Sequence, residues 1–303
     1  MSDAVPVDAR TLERVRRLHL RAREAIAGLH HGAHLSVRLG HDAEFADYKP
    51  YAAGDSLRDL DWRVLARTER LVVRRHRAEQ ELACTLLLDA SGDLGSTPAK
   101  WEHAVQLVAT LAVFLSGAGD PVGLVIGAGE GSQMGRIPPR QGERHLARVL
   151  VELARVRPAG RASLDALFRE VGANLGARTL VAVVGDFMEE PAGWCDSVAA
   201  LVRRRVDLRA LHVTDPEELG LAFEEPLRVR SPETGAELVL DPDAARVAFT
   251  QVVDVWTAEV AAAIRARRGL YLPAPVGGDA VRLLARFASA RGTDAPAVDR
   301  GMA

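Results

Sequence analysis

The stretch ELACTLLLDASGDLG, from Glu81 to Gly95, joins the most apolar run of the chain to a cluster of oxygen-bearing side chains. The apolar run ends at Asp89, and Ser91, Asp93 and two glycines lie among the residues that follow. A continuous apolar run is typical of a strand in a parallel sheet that helices cover on both faces. Ligands of open α/β sheets bind at the carboxyl ends of the strands, so this cluster is a candidate site.

The rest of the chain predicts the same architecture. Strand-like runs at residues 121–128, 178–187 and 206–215 alternate with helical segments, one of which covers residues 99–117. Strands that alternate with helices of this length imply right-handed crossovers. The predicted fold class is therefore α/β, with a doubly wound, mostly parallel sheet.

Three segments are predicted along the chain. Residues 1–80 form an N-terminal extension packed on the main domain, and apolar spacing predicts a helix within it from Thr11 to Leu29. Residues 81–292 form the main domain, which ends with a hairpin at 226–241 and a long helix from Pro242 to Arg268. Residues 293–303 are expected to form a flexible tail.

Composition limits the classes of function. The chain has 303 residues and a net charge of −2, so its totals carry no electrostatic footprint for nucleic acid. The two cysteines lack a metal-binding spacing and are expected to be reduced. The N-terminus lacks the apolar core of a signal peptide, and the longest apolar stretch is shorter than the ~20 residues of a membrane helix. These features predict a cytoplasmic protein.

Two of the predicted strands end in carboxylates, Asp89 and Asp186. Both would reach the same edge of the sheet, where the loop before a predicted helix offers the hydroxyl of Ser163. Together with Ser91 and Asp93, these side chains are hard oxygen ligands of the kind that Mg²⁺, Mn²⁺ or Ca²⁺ prefers. Taken singly, each could instead cap a helix, and that structural interpretation stays open.

Two motifs resemble known families. LLLDASGD, followed by a loop hydroxyl and VVGD, resembles the metal-ion-dependent adhesion site of von Willebrand factor A domains. Upstream, EFADYKPYAAGDSLRDLDWRVLARTERLVVRRHRAEQEL (residues 44–82) resembles the signature of the bacterial family known as domain of unknown function fifty-eight, whose members carry such a domain. The resemblance covers nearly the whole chain and implies a von Willebrand A-like, Rossmann-type fold.

The resemblance also assigns roles at the site. Asp89 and Ser91 match the first two motif positions, Ser163 the loop hydroxyl and Asp186 the last carboxylate. In such sites the hydroxyls coordinate the cation, the carboxylates often act through water, and an acidic side chain of a partner completes the shell. Asp93 departs from the family, which usually has serine there. It either adds negative charge to the site or points away from a degenerate one.

The upstream signature concentrates charged and aromatic residues around Trp62. One interpretation is an ion-pair network that pins the N-terminal section onto the sheet, because charges one helical turn apart can pair. The other is a docking surface for a protein, since Tyr, Trp and Arg are enriched at interface hot spots. The family resemblance implies a MoxR-type AAA+ ATPase as the partner. The candidate partner-binding residues are Tyr48, Tyr51, Arg58, Asp59, Asp61, Trp62, Arg63 and Arg67.

For each enzyme class that its motifs suggest, the sequence lacks part of the required set of residues. Residues 54–57 spell GDSL, the string of a lipase family whose members also have Asp-x-x-His near the C-terminus. Here the last histidine is His212, so that second motif is missing. An aspartyl phosphatase built on Asp89 would need Asp at the position of Ser91. Neither a P-loop nor a complete dinucleotide-binding loop is found. The sequence therefore predicts a non-catalytic interaction domain, with a metal-dependent phosphoesterase using Asp89 and a metal-free scaffold as alternatives.

Overall fold

The computed structural model describes residues 8–32, 45–50, 64, 72–76, 82–128, 133–176, 179–216, 227–230, 237–240 and 242–289. The longer helices and strands in these residues follow the hydrophobic patterns of the sequence. The helices are α1 (Ala9–Gly32), α2 (Pro98–Gly117), α3 (Glu143–Arg155), α4 (Leu164–Ala173), α5 (Pro191–Arg203), α6 (Pro242–Ala266) and α7 (Ala280–Ser289). The strands are β1 (Phe45–Pro50), β2 (Val72–His76), β3 (Ala83–Asp89), β4 (Val122–Ala128), β5 (Gln133–Arg140), β6 (Thr179–Gly185), β7 (Asp207–Thr214), β8 (Leu227–Arg230), β9 (Glu237–Leu240) and β10 (Leu270–Pro275).

The main sheet has six strands in the order β10-β7-β6-β3-β4-β5. All neighbours are parallel except β5, which returns antiparallel to β4. The chain enters at β3, adds β4 and β5 on one side, and then crosses over to add β6, β7 and β10 on the other. The winding direction therefore reverses between β3 and β6, and the predicted α/β fold class with a doubly wound, mostly parallel sheet is confirmed.

Helices cover both faces of this sheet, which explains why its central strands are apolar throughout. Every residue of β6 is buried, and so are all residues of β3 except Ala83. One face packs against α4, α5 and α6 around Phe168, Trp194 and Ile264. On the other face, α2 follows β3 with most of its residues buried, and α1 packs against α2, α3 and α7. Within the described residues, no helix combines the length and apolarity that a bilayer span requires.

The chain divides into two compact units, one of residues 36–81 and one of residues 1–35 with 82–303. In the smaller unit, β1 and β2 form an antiparallel pair. In the larger unit, β8 and β9 form the C-terminal hairpin that the sequence predicts. The predicted domain boundaries stay predictions, and α1 belongs to the larger of the two compact units. The predicted tail, 293–303, lies outside the described residues.

Two elements that follow the long C-terminal helix, β10 and α7, are not among those predicted from the sequence. β10 contains Pro273 and Pro275, and proline within a run argues against a strand because it cannot donate to a ladder. The strand forms because β10 lies at the edge of the described sheet, where one side needs no donors. The opposite edge strand, β5, likewise carries Pro138 and Pro139.

Candidate functional site

The two carboxylates predicted from the strand ends lie side by side at the reversal point of the sheet. Leu88 pairs with Val184 across β3 and β6, so Asp89 lies beside Gly185, the residue before Asp186. Asp89 and Asp186 are only 5% and 3% exposed. Reversal points of this kind are where open α/β sheets bind ligands.

Three loops are joined by hydrogen bonds around these carboxylates. The loop before α4 contacts the loop after β3 twice, through Ala159 N to Ala90 O (3.0 Å) and Gly92 N to Gly160 O (2.7 Å). The first amide of α4, at Leu164, donates to Glu189 Oε1 in the loop after β6 at 2.6 Å. The structure thus places the strand-end carboxylates and the predicted hydroxyl-bearing loop at one end of the sheet.

The two predicted hydroxyls differ in exposure. Ser91 is buried, and its Oγ accepts from Leu94 N at 3.5 Å. Ser163 is exposed and caps α4, since its Oγ accepts from Ala166 N at 3.3 Å. A capping oxygen retains a second lone pair, so this local role leaves Ser163 able to contact a ligand.

The buried base of the site, called the floor, is formed by Asp89 and Asp186 and also contains a lysine. Lys100 is in the first turn of α2, and its Nζ lies 3.1 Å from Asp186 Oδ2 as an ionic contact rather than an aligned hydrogen bond. The same Nζ donates to the backbone oxygen of Asp93 at 3.1 Å. Asp93, which departs from the family motif, therefore contributes its carbonyl to a cation that belongs to the chain itself.

Backbone amides hold the two carboxylates in place. Ser91 N donates to Asp89 Oδ1 at 3.0 Å, and Met188 N donates to Asp186 Oδ1 at 3.4 Å. Burial raises the pKa of Asp89 to about 8, the charge of Asp186 adds to the rise, and the hydrogen bonds from Ser91 oppose it. This rise favours the protonated form of Asp89, because its ionised form would be buried beside the charge of Asp186.

The loop after β6 is held in an unusual conformation. Phe187 has φ of 53°, in the left-handed region that non-glycine residues rarely adopt. Its buried ring packs edge-on against Trp194, and Trp256 Nε1 donates to its carbonyl at 3.2 Å. This turn directs Asp186 into the floor and leaves Met188 59% exposed at the rim. Strained residues held by packing cluster at binding sites.

The donor chemistry fits a hard divalent cation. Among the described residues, no three Asp, Glu, His or Cys side chains converge as a metal centre. A cation at this site would therefore depend on the hydroxyls of Ser91 and Ser163 beside the carboxylates of Asp89 and Asp186, all oxygen donors of the type that Mg²⁺ or Ca²⁺ takes. Lys100 already contacts one of these carboxylates.

Most of the predicted partner-binding residues lie outside the described residues. Tyr48 is the exception, and its backbone pairs with Arg74 across β1 and β2. The others are Tyr51, Arg58, Asp59, Asp61, Trp62, Arg63 and Arg67. Their docking role stays a prediction.

Two charged residues of the site, Lys100 and Glu189, are not among those predicted from the sequence. Lys100 carries a weak signal, because a lysine in the first turn of a helix opposes the helix dipole and so requires another reason for its position. Glu189 follows Asp186 by three residues in GDFMEE, but only the fold shows that it reaches the first amide of α4.

Replacing Gly185 with alanine is expected to disturb the site directly. A Cβ at this position would lie 2.9 Å from Asp89 Cβ and 3.3 Å from its Oδ2. Because both strands are buried, we expect a loss of about 1–3 kcal/mol in the free energy of unfolding, as for other overpacked cores, measured by chemical denaturation. Gly193→Ala is the control: nothing lies within 4 Å of its added Cβ, and its helical position predicts a gain of up to about 1 kcal/mol. Equal stability changes in the two variants would contradict the expected crowding.

Comparison with known proteins identifies relatives over almost the full length. An uncharacterized protein of Mycobacterium tuberculosis is 29% identical over 296 residues, which cover 94% of this chain and 90% of the relative. An uncharacterized protein of Mycobacterium bovis matches to the same extent.

Among solved structures, the conserved hypothetical protein BatB from Bacteroides thetaiotaomicron is 14% identical, with a TM-score of 0.44 over 68% of this chain and 96% of BatB. The VWA domain of SpRpn10 is 13% identical, with a TM-score of 0.37 over 67% of this chain and 94% of that domain. The model of a protein family described as protein of unknown function DUF58 matches residues 47–258, which is more than half of the chain. The chain therefore belongs to the DUF58 family.

Proposed function

We propose that this protein is a non-catalytic interaction domain that recognises a protein partner at the strand ends of its main sheet. One observation carries the proposal: the ends of β3 and β6 and the loop before α4 meet at the reversal point of the sheet. There the exposed Ser163 and Met188 border a buried floor formed by the carboxyl groups of Asp89 and Asp186. An exposed rim of this composition above fixed oxygen donors suits recognition of a partner side chain.

The proposed ligand of the floor is Mg²⁺, or Mn²⁺ or Ca²⁺ in its place. Asp89, Ser91, Ser163 and Asp186 would hold the cation, and Asp93 would modify the site through its charge. When bound, the cation supplies a positive centre for a carboxylate of the partner. The chain's own contribution is to fix the donors through amide hydrogen bonds to Asp89 and Asp186.

The proposed partner is a MoxR-type AAA+ ATPase, for which the protein would act as a cytoplasmic adaptor or accessory factor. This partner follows from the family resemblance, and the Arg- and Trp-rich section around Trp62 is proposed to contribute to the interaction. Tyr, Trp and Arg at such a surface are the residue types that carry most of the binding energy in interfaces.

A phosphoesterase mechanism based on Asp89 has less support. A nucleophilic carboxylate must be accessible to its substrate, whereas Asp89 is only 5% exposed. Turnover of a generic phosphate ester that is lost in Asp89→Asn would favour this enzyme class over the interaction domain.

Asp89→Ala is expected to weaken binding to the purified MoxR-type ATPase of the same organism by at least about tenfold, which corresponds to 1.4 kcal/mol. Binding is measured by titration calorimetry in millimolar Mg²⁺ and again in EDTA. Asp196→Ala is the matched control, because Asp196 is an exposed carboxylate on α5 and its loss should leave the affinity unchanged. Tight binding of the wild type that neither EDTA nor Asp89→Ala affects would refute the cation-dependent site.

A further variant separates the metal-free scaffold from the proposal. In that alternative, Trp62→Ala abolishes binding while Asp89→Ala leaves it intact, and EDTA has no effect. Absence of any binding by the wild type would reject the MoxR-type partner.

A further inference from the structure

Lys100 is a buried lysine that lies at the candidate site. Its residue is 5% exposed, and lysine is rarely buried unless it is paired. The side chain starts on α2, the helix after β3, and its ammonium group reaches Asp186 at the end of β6. It therefore crosses the reversal point of the sheet and links the two strands that carry the candidate site.

The position of Lys100 does not benefit α2 itself. A cation in the first turn of a helix is unfavourable, because the partial charge of the dipole there is positive. Contacts with Asp186 Oδ2 and Asp93 O, both at 3.1 Å, provide the compensation. The ammonium is thus held by oxygen atoms of the candidate cation site and not by its own helix.

Hydrogen bonds of Thr97 fix the backbone of Lys100 at the start of α2. Thr97 caps α2, and its Oγ1 accepts from Lys100 N at 3.1 Å. The same hydroxyl donates to Asp215 Oδ2 at 2.7 Å, which connects the start of α2 to the end of β7. Because its backbone is anchored to a third strand, Lys100 presents its ammonium to Asp186 in a fixed direction.

We propose that Lys100 is a tethered internal cation that competes with the divalent ion for Asp186. This inference rests on the cation site of the proposed function. The ammonium supplies a positive charge beside the buried carboxylate of Asp186, so this carboxylate is compensated without metal. A divalent ion that engages Asp186 must displace the ammonium from Oδ2. Lys100 therefore lowers the affinity of the site for the ion and sets the ion concentration at which a partner carboxylate is recognised.

The test compares thermal unfolding of the full chain over a Mg²⁺ and a Mn²⁺ titration, starting in EDTA, for three proteins. They are the wild type, Lys100→Met, which keeps the length of the side chain without its charge, and the double variant Lys100→Met/Asp186→Asn, which removes both charges. Lys100→Met is expected to melt at a lower temperature than the wild type in EDTA, because breaking a buried ion pair leaves an uncompensated charge. Its melting temperature is expected to begin to rise at an ion concentration at least about tenfold below that of the wild type.

The double variant controls for folding. It is expected to recover most of the melting temperature in EDTA and to lose the response to the ion, because the charged partner has been removed with the lysine. If Lys100→Met is unfolded in EDTA, recovery of a cooperative transition in Mg²⁺ supports the proposal, and no recovery overturns it.

Other outcomes distinguish this inference from the proposed function. If the melting temperatures of the wild type and Lys100→Met begin to rise at the same ion concentration, the competition is overturned and the cation site stands. No response of either protein to millimolar ion would overturn both the competition and the cation site. The binding titration with the ATPase then decides whether a metal-free interaction survives.

Discussion

Replacing Trp194 with alanine is expected to lower the free energy of unfolding by about 3–5 kcal/mol, the range for truncating a large buried aromatic residue. Trp194 is fully buried, with its ring 6.2 Å from that of Phe168 and 6.1 Å from that of Phe187. Its Nε1 also donates to Glu189 O at 3.2 Å. The variant therefore loses core packing and one hydrogen bond that holds the loop after β6, the site loop. Urea denaturation followed by circular dichroism measures the change.

Two variants define what is lost. Trp194→Phe keeps an aromatic ring in the core and should lose clearly less stability than Trp194→Ala. Trp256→Ala is the matched tryptophan control, because Trp256 also donates to the site loop, at Phe187 O, but is only partly buried. A loss in Trp256→Ala as large as that in Trp194→Ala would show that the loop anchors, and not the core packing, dominate.

Acidification is expected to destabilise the protein through His212. The ring is buried, its Nδ1 lies 2.7 Å from the Tyr271 hydroxyl, and it packs edge-on against Phe187. Burial lowers the pKa of His212 to about 4; a hydrogen bond with the backbone of Asp186 opposes this, and the charge of Lys100 adds to it. In the unfolded chain the imidazole of His212 binds a proton near pH 6.5, whereas in the native state it stays neutral until about pH 4. Stability should therefore fall from pH 6.5 to pH 4, by about 3 kcal/mol from this residue.

The measurement is urea unfolding at several pH values between 7 and 4, for the wild type and His212→Gln. Glutamine does not titrate, so the variant should be less stable at pH 7 but should show a shallower decline on acidification. Other titrating groups affect both proteins alike, and the difference between the two curves isolates the imidazole. Parallel curves would show that His212 does not cause the acid sensitivity.

The sheet could be predicted from the sequence where burial dictates composition. Strands β3 and β6 are covered on both faces, so their sequences are nearly continuous apolar runs. β10 could not be identified in this way, because its prolines are tolerated only at an edge, and edge position is a property of the assembled sheet.

The candidate site could likewise be predicted from the sequence only in part. The proximity of Asp89 and Asp186 follows from a general rule, since parallel strands bring their carboxyl ends to one side of the sheet. The contact of Lys100 with Asp186 does not follow from spacing, because the two residues are 86 positions apart (186 − 100) and meet only after α2 has packed across the sheet. The raised pKa of Asp89 is likewise a result of burial beside Asp186, which composition alone does not reveal.

The prolines of the outer strands also limit how this domain can associate with other chains. Pro138 and Pro139 on β5, and Pro273 and Pro275 on β10, have no amide hydrogen, so both outer strands of the described sheet have gaps in their rows of donors. An extended segment from another molecule would meet an interrupted row of donors on either side, which disfavours capture by strand addition and edge-to-edge stacking of copies into fibrils. Recognition is thereby left to side chains, whose identity, unlike that of a backbone ladder, distinguishes one partner from another.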